Sequence, residues 1–183
     1  MSKTKFAKEQ KRKKKRETIK KNKIKHLSHL RQMILKFDEL EEVRCEAVDL
    51  DSDYKKIIQD LEKAISVTKN GIGLAAPQIG QNKRIIIIRP DLKTNAMQSF
   101  VNPRISEISQ DTTVMKEGCL SYPGYSAKVT RSIEIKVEHD VNGIKKEDSF
   151  KGIEARIIQH EIDHLNGKCD VGEEYKKSKI YNF

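Results

Sequence analysis

One stretch near the C-terminus, from Gln159 to Gly167, constrains the fold of this chain more than any other. Within it His160 and His164 are four residues apart, so on a helix their side chains stand one turn apart on the same face. The helix would be apolar on most sides, through Ile153, Ala155, Ile157, Ile158, Ile162 and Leu165. Such a helix is buried. The pair Asn166 and Gly167 predicts a left-handed end to it.

Two buried histidines one turn apart can bind a single metal ion. Glu161, next to His160, is then a candidate base for a water molecule at that ion. The His-Glu-x-x-His spacing also arises by chance, and a buried histidine is often only hydrogen-bonded. A metal centre therefore requires a third ligand from elsewhere in the chain.

The segment Lys116 to Gly124 offers that third ligand. It is predicted to be a loop because it contains Gly118, Pro123 and Gly124. Cys119 in this loop is accessible enough to bind a metal, and the alternative is a free core cysteine, as we interpret Cys45. Cys169 is a rival ligand, but it lies beyond the predicted helix end in a charged segment. One thiolate and two imidazoles leave a fourth position open for water, as catalytic metal sites require.

Strand patterns precede the helix. Ile85 to Ile88 predict a fully buried strand, and residues 100–103 predict a second strand that ends at Pro103. Residues 133–138 alternate between apolar and charged, and Asn142-Gly143 predicts a hairpin turn after them. The sequence therefore predicts an α+β fold, with antiparallel or mixed strands packed around a central buried helix that carries the two histidines.

The segment Gly71 to Gly80 is rich in glycine and small apolar residues. Three of them match the dinucleotide-binding fingerprint, which requires a strand before it and a helix after it. Apolar residues at helical spacing from Tyr54 to Ile65 instead predict a helix before the segment, and Pro77 interrupts any helix after it. We interpret the segment as an extended stretch beside a ligand backbone. Near its end the amide of Gln78 can donate to an oxygen, and the alternative for Gln78 is a role in a capped loop.

The charge is unevenly distributed. Residues 1–25 contain 13 Lys and Arg against two Glu, a net charge of +11, and the remainder has a net charge of −1. This predicts a basic, disordered or solvated tail over residues 1–26 and one catalytic domain over residues 27–183. The tail could bind ribosomes or other RNA through phosphate contacts, and a merely solubilising extension is the alternative.

Composition also limits the compartment. No apolar run reaches membrane-spanning length, and the N-terminus lacks the apolar core of a secretory signal, so no membrane partner is expected. Three widely spaced cysteines do not form a disulfide framework and indicate a reducing compartment. We expect the cytoplasm, with an organelle as the alternative.

Three segments together resemble the peptide deformylase family in order and approximate spacing. They are Gly-Ile-Gly-Leu-Ala-Ala-Pro-Gln (71–78), Glu-Gly-Cys-Leu-Ser (117–121) and Gln-His-Glu-Ile-Asp-His-Leu (159–165). The resemblance covers about residues 29–167. It implies removal of the N-formyl group from nascent N-formyl-methionyl peptides, and strands wrapped around the central helix.

The resemblance also implies a role for each matching residue. The implied ligands of one divalent ion, iron (Fe²⁺) or zinc (Zn²⁺), are Cys119, His160 and His164. The implied catalytic groups are Glu161 as acid–base, and Gln78 with the backbone N–H of Leu120 as donors to the formyl oxygen. The implied substrate-binding residues are Ile72, Gly73, Gly118 and Tyr122. The implied structural ion pair is Glu117 with Arg131.

The chain departs from the family pattern at three places. Ala47 stands where many members have proline, and Ser126 replaces an arginine that some members use beside the substrate. After Gly167, the residues Lys168-Cys169-Asp170 replace an apolar strand start, and only 16 residues follow that glycine.

Two other classes of protein are alternatives. A metalloprotease would need a third ligand after His164, where no histidine follows and only Glu173 and Glu174 are near. A non-catalytic RNA-binding protein would account for the basic tail, but not for the cysteine, histidines and glutamates of the three motifs.

Overall fold

The computed structural model describes residue 14 and residues 44–180, so the rest of the predicted basic tail and the domain start at residue 27 lie outside the described residues. Within residues 44–180 the elements are α1 Lys55–Ser66, β1 Gly73–Ala75, a 3₁₀ helix Ala76–Ile79, β2 Ile85–Ile88, β3 Gln98–Ile108, β4 Thr112–Gly118, β5 Ser126–Ser132, β6 Glu134–Val141, β7 Ile144–Lys151, α2 Gly152–Leu165 and α3 Asp170–Ile180. No helix in this described part is long and apolar enough to cross a membrane.

The strands form two antiparallel sheets. Five of them pair in the order β1-β2-β3-β6-β7, and β4 pairs only with β5. Every pairing between these strands is antiparallel, including those between strands that are distant in sequence, such as β3 with β6. An isolated bridge between Glu46 and Lys83 is parallel. The combination of antiparallel sheets with a few helices confirms the predicted α+β class.

The four isoleucines of β2 explain why helices cover both faces of the large sheet. Successive side chains of a strand point to opposite faces. Ile86 and Ile88 accordingly pack in one buried cluster with residues of α2, while Ile85 and Ile87 pack in another with residues of α1. Each isoleucine is fully buried, as the sequence predicted.

Strand β3 does not end at Pro103, and that prediction is wrong. The strand continues to Ile108 because a β-bulge absorbs the proline: the register with β6 shifts between Val101 and Arg104, and Asn102 has φ 51°. Proline has no N–H for the ladder, so a bulge is one of the few places in a sheet that accepts it.

The hairpin between β6 and β7 has the predicted two-residue turn. Asn142 and Gly143 have φ values of 50° and 80°, and Val141 pairs directly with Ile144. Positive φ at both central residues defines a type I′ turn, whose twist matches that of the flanking strands.

Helix α2 carries His160, Glu161 and His164, all three of them buried. Its apolar residues are buried as expected, except for Ile153 in the first turn, which is 46% exposed. The helix ends as predicted, since Gly167 has φ 71° and the N–H of Lys168 reaches back to the carbonyl of Asp163. These are the features of a Schellman motif.

The predicted loop from Lys116 to Gly124 is shorter than expected. Residues 116–118 belong to β4 and pair with β5, so the loop proper comprises residues 119–125. Helix α3 then packs against β5 beside this loop. The loop that holds Cys119 is therefore fixed at both ends by the hairpin and covered by α3.

Candidate active site

Three potential metal ligands meet where the loop after β4 faces helix α2. The side chains of Cys119, His160 and His164 are buried, and their ligand atoms all lie within 4.8 Å of one another. Sγ of Cys119 is 3.4 Å from Nε2 of His164. The helical spacing places the two imidazoles on one face, with ring centroids 4.8 Å apart. Folding therefore adds the thiol to the histidine pair.

A buried carboxylate supports His160 from behind. Oε2 of Glu117 lies 3.0 Å from Nδ1 of His160. Although burial opposes ionisation, hydrogen bonds from His160 and Arg131 lower the pKa of Glu117 to about 2. An ionised carboxylate can only accept, so Nδ1 of His160 is the donor and its Nε2 is available as a ligand.

Glu117 is held by two arginines and not by one. Arg131 contacts both its oxygens at 3.1 Å, and Arg156 donates to Oε1 at 2.5 Å. Arg131 also pairs with Asp163 and Asp170, while Arg156 donates to backbone carbonyls in both β4 and β5. The network thus connects α2 with the β4–β5 hairpin, whose first strand ends at Gly118, one residue before Cys119.

Glu161 lies deep in the site without a hydrogen bond to its Oε2 atom from any described residue. Burial raises the pKa of its carboxyl group to about 7. Gly73 of β1 leaves room for this carboxylate, because a Cβ at that position would overlap Oε1 of Glu161 and lie 2.8 Å from Ile157. The carboxyl group is thus buried, has a pKa near neutral pH and occupies space that Gly73 leaves free.

The amide of Gln78 is oriented by the chain around it. Its Oε1 accepts from the N–H of Ala75 at 2.9 Å, and its Nε2 donates to Oγ of Ser121 at 3.1 Å. The same Nε2 lies 3.7 Å from Sγ of Cys119. The NH₂ group of this buried side chain therefore faces the loop that carries Cys119 and Leu120.

A cavity of about 580 Å³ opens onto these groups. Of the residues predicted for the site, all but His164 and Arg131 line it: Ile72, Gly73, Gln78, Glu117, Gly118, Cys119, Leu120, Tyr122, His160 and Glu161. Several apolar side chains complete the lining, among them Met115, Ile153 and Ile157. The lining thus combines apolar side chains with the polar groups of the candidate site.

The donor set fits a divalent metal ion. Burial lowers the pKa of His164 well below its usual value, which keeps this imidazole in the neutral form that binds metals. The hydrogen bond with Cys169 and burial raise the pKa of Cys119, so binding of a metal would displace the thiol proton. The three ligand atoms lie within 4.8 Å of one another. This separation is close to twice the length of a bond from a metal ion to nitrogen or sulfur, which is about 2.0–2.3 Å.

Two residues of this region, Arg156 and Ser121, were not predicted from the sequence, and Cys169 was considered only as a rival ligand. Arg156 was not identified, although a charged residue within the apolar run of α2 indicates a buried ionic partner. Ser121 accepts a hydrogen bond from the amide of Gln78, and no sequence pattern indicated this contact. Cys169 was placed in a charged segment, whereas it is 2% exposed and packs in one cluster with Cys119.

A thiol, two imidazoles and a buried carboxyl group beside an apolar cavity define the kind of centre that metal-dependent hydrolases use. The polypeptide deformylase family model matches residues 30–177, and the chain belongs to that family.

Two curated relatives carry the same family name. A peptide deformylase from Picosynechococcus sp. is 46% identical over 103 residues, 55% of each chain. A peptide deformylase from Prochlorococcus marinus is 42% identical over 140 residues, which cover 71% of this chain and 68% of the relative. The aligned part thus spans little more than half of the first relative and about two thirds of the second.

A solved structure agrees with this assignment. The crystal structure of peptide deformylase from Thermotoga maritima superimposes with a TM-score of 0.68 at 34% sequence identity, covering 74% of this chain and 92% of that one. The likeness therefore covers the fold that positions the site.

Proposed function

We propose that this chain removes the N-formyl group from the N-terminal formyl-methionine of newly synthesised proteins and releases formate. The observation that carries the proposal is the group formed by Cys119, His160 and His164, together with Glu161, which lines the same cavity as Cys119 and His160. Membership of the polypeptide deformylase family supports the same activity. Helix α2 would then be the central element of the fold, since it supplies three of these four residues.

Cys119, His160 and His164 would hold one divalent ion, Fe²⁺ or Zn²⁺, which suit a set of one sulfur and two nitrogens equally. When bound, such an ion would act as a Lewis acid and lower the pKa of a coordinated water. Glu117 would act indirectly. By accepting from Nδ1 of His160 it fixes the ring and its tautomer, and Arg131 and Arg156 hold Glu117 in place.

Glu161 would move the proton of the reaction. A pKa of about 7 lets this carboxyl group accept a proton from the attacking water and donate it to the departing amine near neutral pH. Its Oε2 atom has no hydrogen-bond partner among the described residues, which leaves it available for that exchange.

Gln78 and Leu120 would stabilise the negative charge that develops on the formyl oxygen. The NH₂ group of Gln78 already faces the Cys119 loop, because its carbonyl is engaged by the backbone of Ala75. The backbone N–H of Leu120 would be the second donor. Donors oriented before the reaction cost little reorganisation in the transition state.

Ile72, Gly73, Gly118 and Tyr122 would contact the peptide. Ile72 precedes β1, Gly73 begins it and Gly118 ends β4, and all three residues line the cavity. An extended peptide could lie between these two strands, with its methionine side chain against the apolar side chains of the lining. We further propose that the protein acts in the cytoplasm and that the basic tail binds ribosomes or RNA.

The experiment is a formate-release assay with a short formyl-methionyl peptide and the metal-loaded full chain. Matched substrates are the acetyl-methionyl and the unmodified peptide of the same sequence. We expect formate only from the formylated peptide, and activity that disappears after removal of the metal by a chelator and returns on reloading. Hydrolysis of internal peptide bonds, or no formate from metal-loaded protein, would refute the proposed function.

A further inference from the structure

A second thiol lies beside the proposed sulfur ligand. Cys169 is 2% exposed and shares a buried cluster with Cys119, Tyr122, Val129 and Val171. Within this cluster each thiol also perturbs the other, since Cys169 raises the pKa of Cys119 and Cys119 lowers that of Cys169. Cys169 is nevertheless not a member of the three-residue ligand group. The proposed chemistry therefore leaves this thiol without a role.

The fold holds Cys169 in this position from both sides. Gly167, with φ 71°, ends α2 two residues earlier, and α3 begins one residue later at Asp170. Helix α3 is fixed against the Cys119 loop at Gly172, where an added Cβ would lie 2.6 Å from the ring of Tyr122. A turn from Cys119 to Tyr122 closes the other side, with the N–H of Tyr122 2.9 Å from the carbonyl of Cys119.

The two sulfurs differ in their access to small molecules. Cys119 lines the 580 Å³ cavity, whereas Cys169 is not among the residues that line it. Cys45, the third cysteine, packs in a different cluster against residues of α2 and β2. A small oxidant that enters the cavity therefore meets Cys119 first, and the nearest second thiol is Cys169.

We propose that Cys119 and Cys169 form a site of reversible thiol oxidation, at which a hydroperoxide converts the pair into a disulfide. In the first step the sulfur of Cys119 attacks the O–O bond, which gives a sulfenic acid on Cys119 and releases an alcohol or water. In the second step the sulfur of Cys169 attacks that of Cys119, the S–OH bond breaks, and water leaves. Two thiols and one hydroperoxide thus yield one disulfide, one alcohol and one water.

Oxidation of Cys119 would disrupt the metal site, because Cys119 is one of its three proposed ligands. A sulfur in a disulfide is no longer a thiolate ligand, so oxidation would release the metal ion. Reduction by a dithiol would restore both thiols and the site. Cys169 would also protect Cys119, because a sulfenic acid trapped as a disulfide does not proceed to the irreversible sulfinic and sulfonic acids. Metal release rests on the proposed function, whereas disulfide formation does not.

The test uses full-length protein loaded with Zn²⁺ and treated with hydrogen peroxide at one equivalent per chain. Free thiols are then alkylated and the protein is digested with trypsin. Cleavage after Lys and Arg separates the three cysteines into peptides 45–55, 117–128 and 169–176. We expect a disulfide-linked pair of peptides 117–128 and 169–176, with peptide 45–55 fully alkylated. A chromophoric chelator should detect released zinc in parallel, and dithiothreitol should reverse both changes.

Two variants complete the design. Cys45→Ser should behave like the unmodified chain. Cys169→Ser should give no linked peptide, and its Cys119 should gain oxygen atoms that dithiothreitol does not remove. The peptide map of the unmodified chain tests the proposed disulfide even if a variant fails to fold. Alkylated Cys169 beside an oxygenated Cys119, or a linkage to Cys45, would overturn the proposal. Absence of formate release would leave this map unaffected and would count against the proposed function alone.

Discussion

Replacement of Glu117 by Gln tests whether this carboxylate positions the metal ligand His160. The side chain is buried and receives hydrogen bonds from Arg131, Arg156 and His160. Glu117→Gln preserves the shape but removes the charge. Arg156 then loses its only carboxylate partner among the described residues. Removing one partner of a buried ion pair costs about 3–5 kcal/mol.

The pKa of Glu117 gives a second measure of the same interaction. A pKa lowered from 4.5 to about 2 corresponds to about 2–3 kcal/mol once screening by solvent is taken into account. Because the folded-state pKa is the lower one, this stabilisation is present above pH 4.5 and is lost as the pH falls towards 2. We therefore expect Glu117→Gln to lower the free energy of unfolding by about 3 kcal/mol at neutral pH, with a smaller difference at acid pH.

The assay is urea unfolding of metal-free protein at several pH values, together with competition for Zn²⁺ against a chelator. Zinc affinity should fall about 10–100-fold, as for other groups that orient a metal-binding histidine. Glu138→Gln is a matched control, since Glu138 pairs with Arg104 on the surface and should contribute less than about 1 kcal/mol. Equal zinc affinity in Glu117→Gln and Glu138→Gln would refute the positioning role.

Three further changes address the proton transfer, the packing of the site and the tail. Glu161→Gln should retain the metal while formate release falls by about 10² or more, and loss of the metal would show instead that Glu161 is a ligand. Gly73→Ala should lower formate release without changing metal content, because the new methyl group displaces the Glu161 carboxylate; unchanged turnover would contradict that contact. Deletion of residues 1–25 should leave peptide turnover intact and reduce co-sedimentation with ribosomes most at low salt, whereas equal sedimentation would indicate a solubilising extension.

The features that the sequence predicted well have short-range causes. The spacing of His160 and His164, the isoleucines of β2 and the Asn142-Gly143 turn each depend on local geometry, and the structure shows all of them as expected. The α+β class followed from these elements. The Cys119 loop was also located, although its first residues belong to a strand.

The features that were missed depend on contacts between distant parts of the chain. Pro103 was expected to end its strand, because nothing local shows that β6 would accommodate a bulge. Arg156 stands out in the apolar run of α2, but the sequence does not say which of 27 acidic residues is its partner. The position of Cys169 depends on how α3 folds back over β5, which its own charged neighbours do not indicate.

Metal content of three cysteine variants tests the central claim most directly. We expect about one metal ion per chain in the unmodified protein, in Cys45→Ser and in Cys169→Ser, with formate release in each. Cys119→Ser should lose tightly bound metal and formate release together. Equal metal content in all three variants would contradict the assignment of Cys119 as the third ligand, and with it the metal centre on which the proposed function depends.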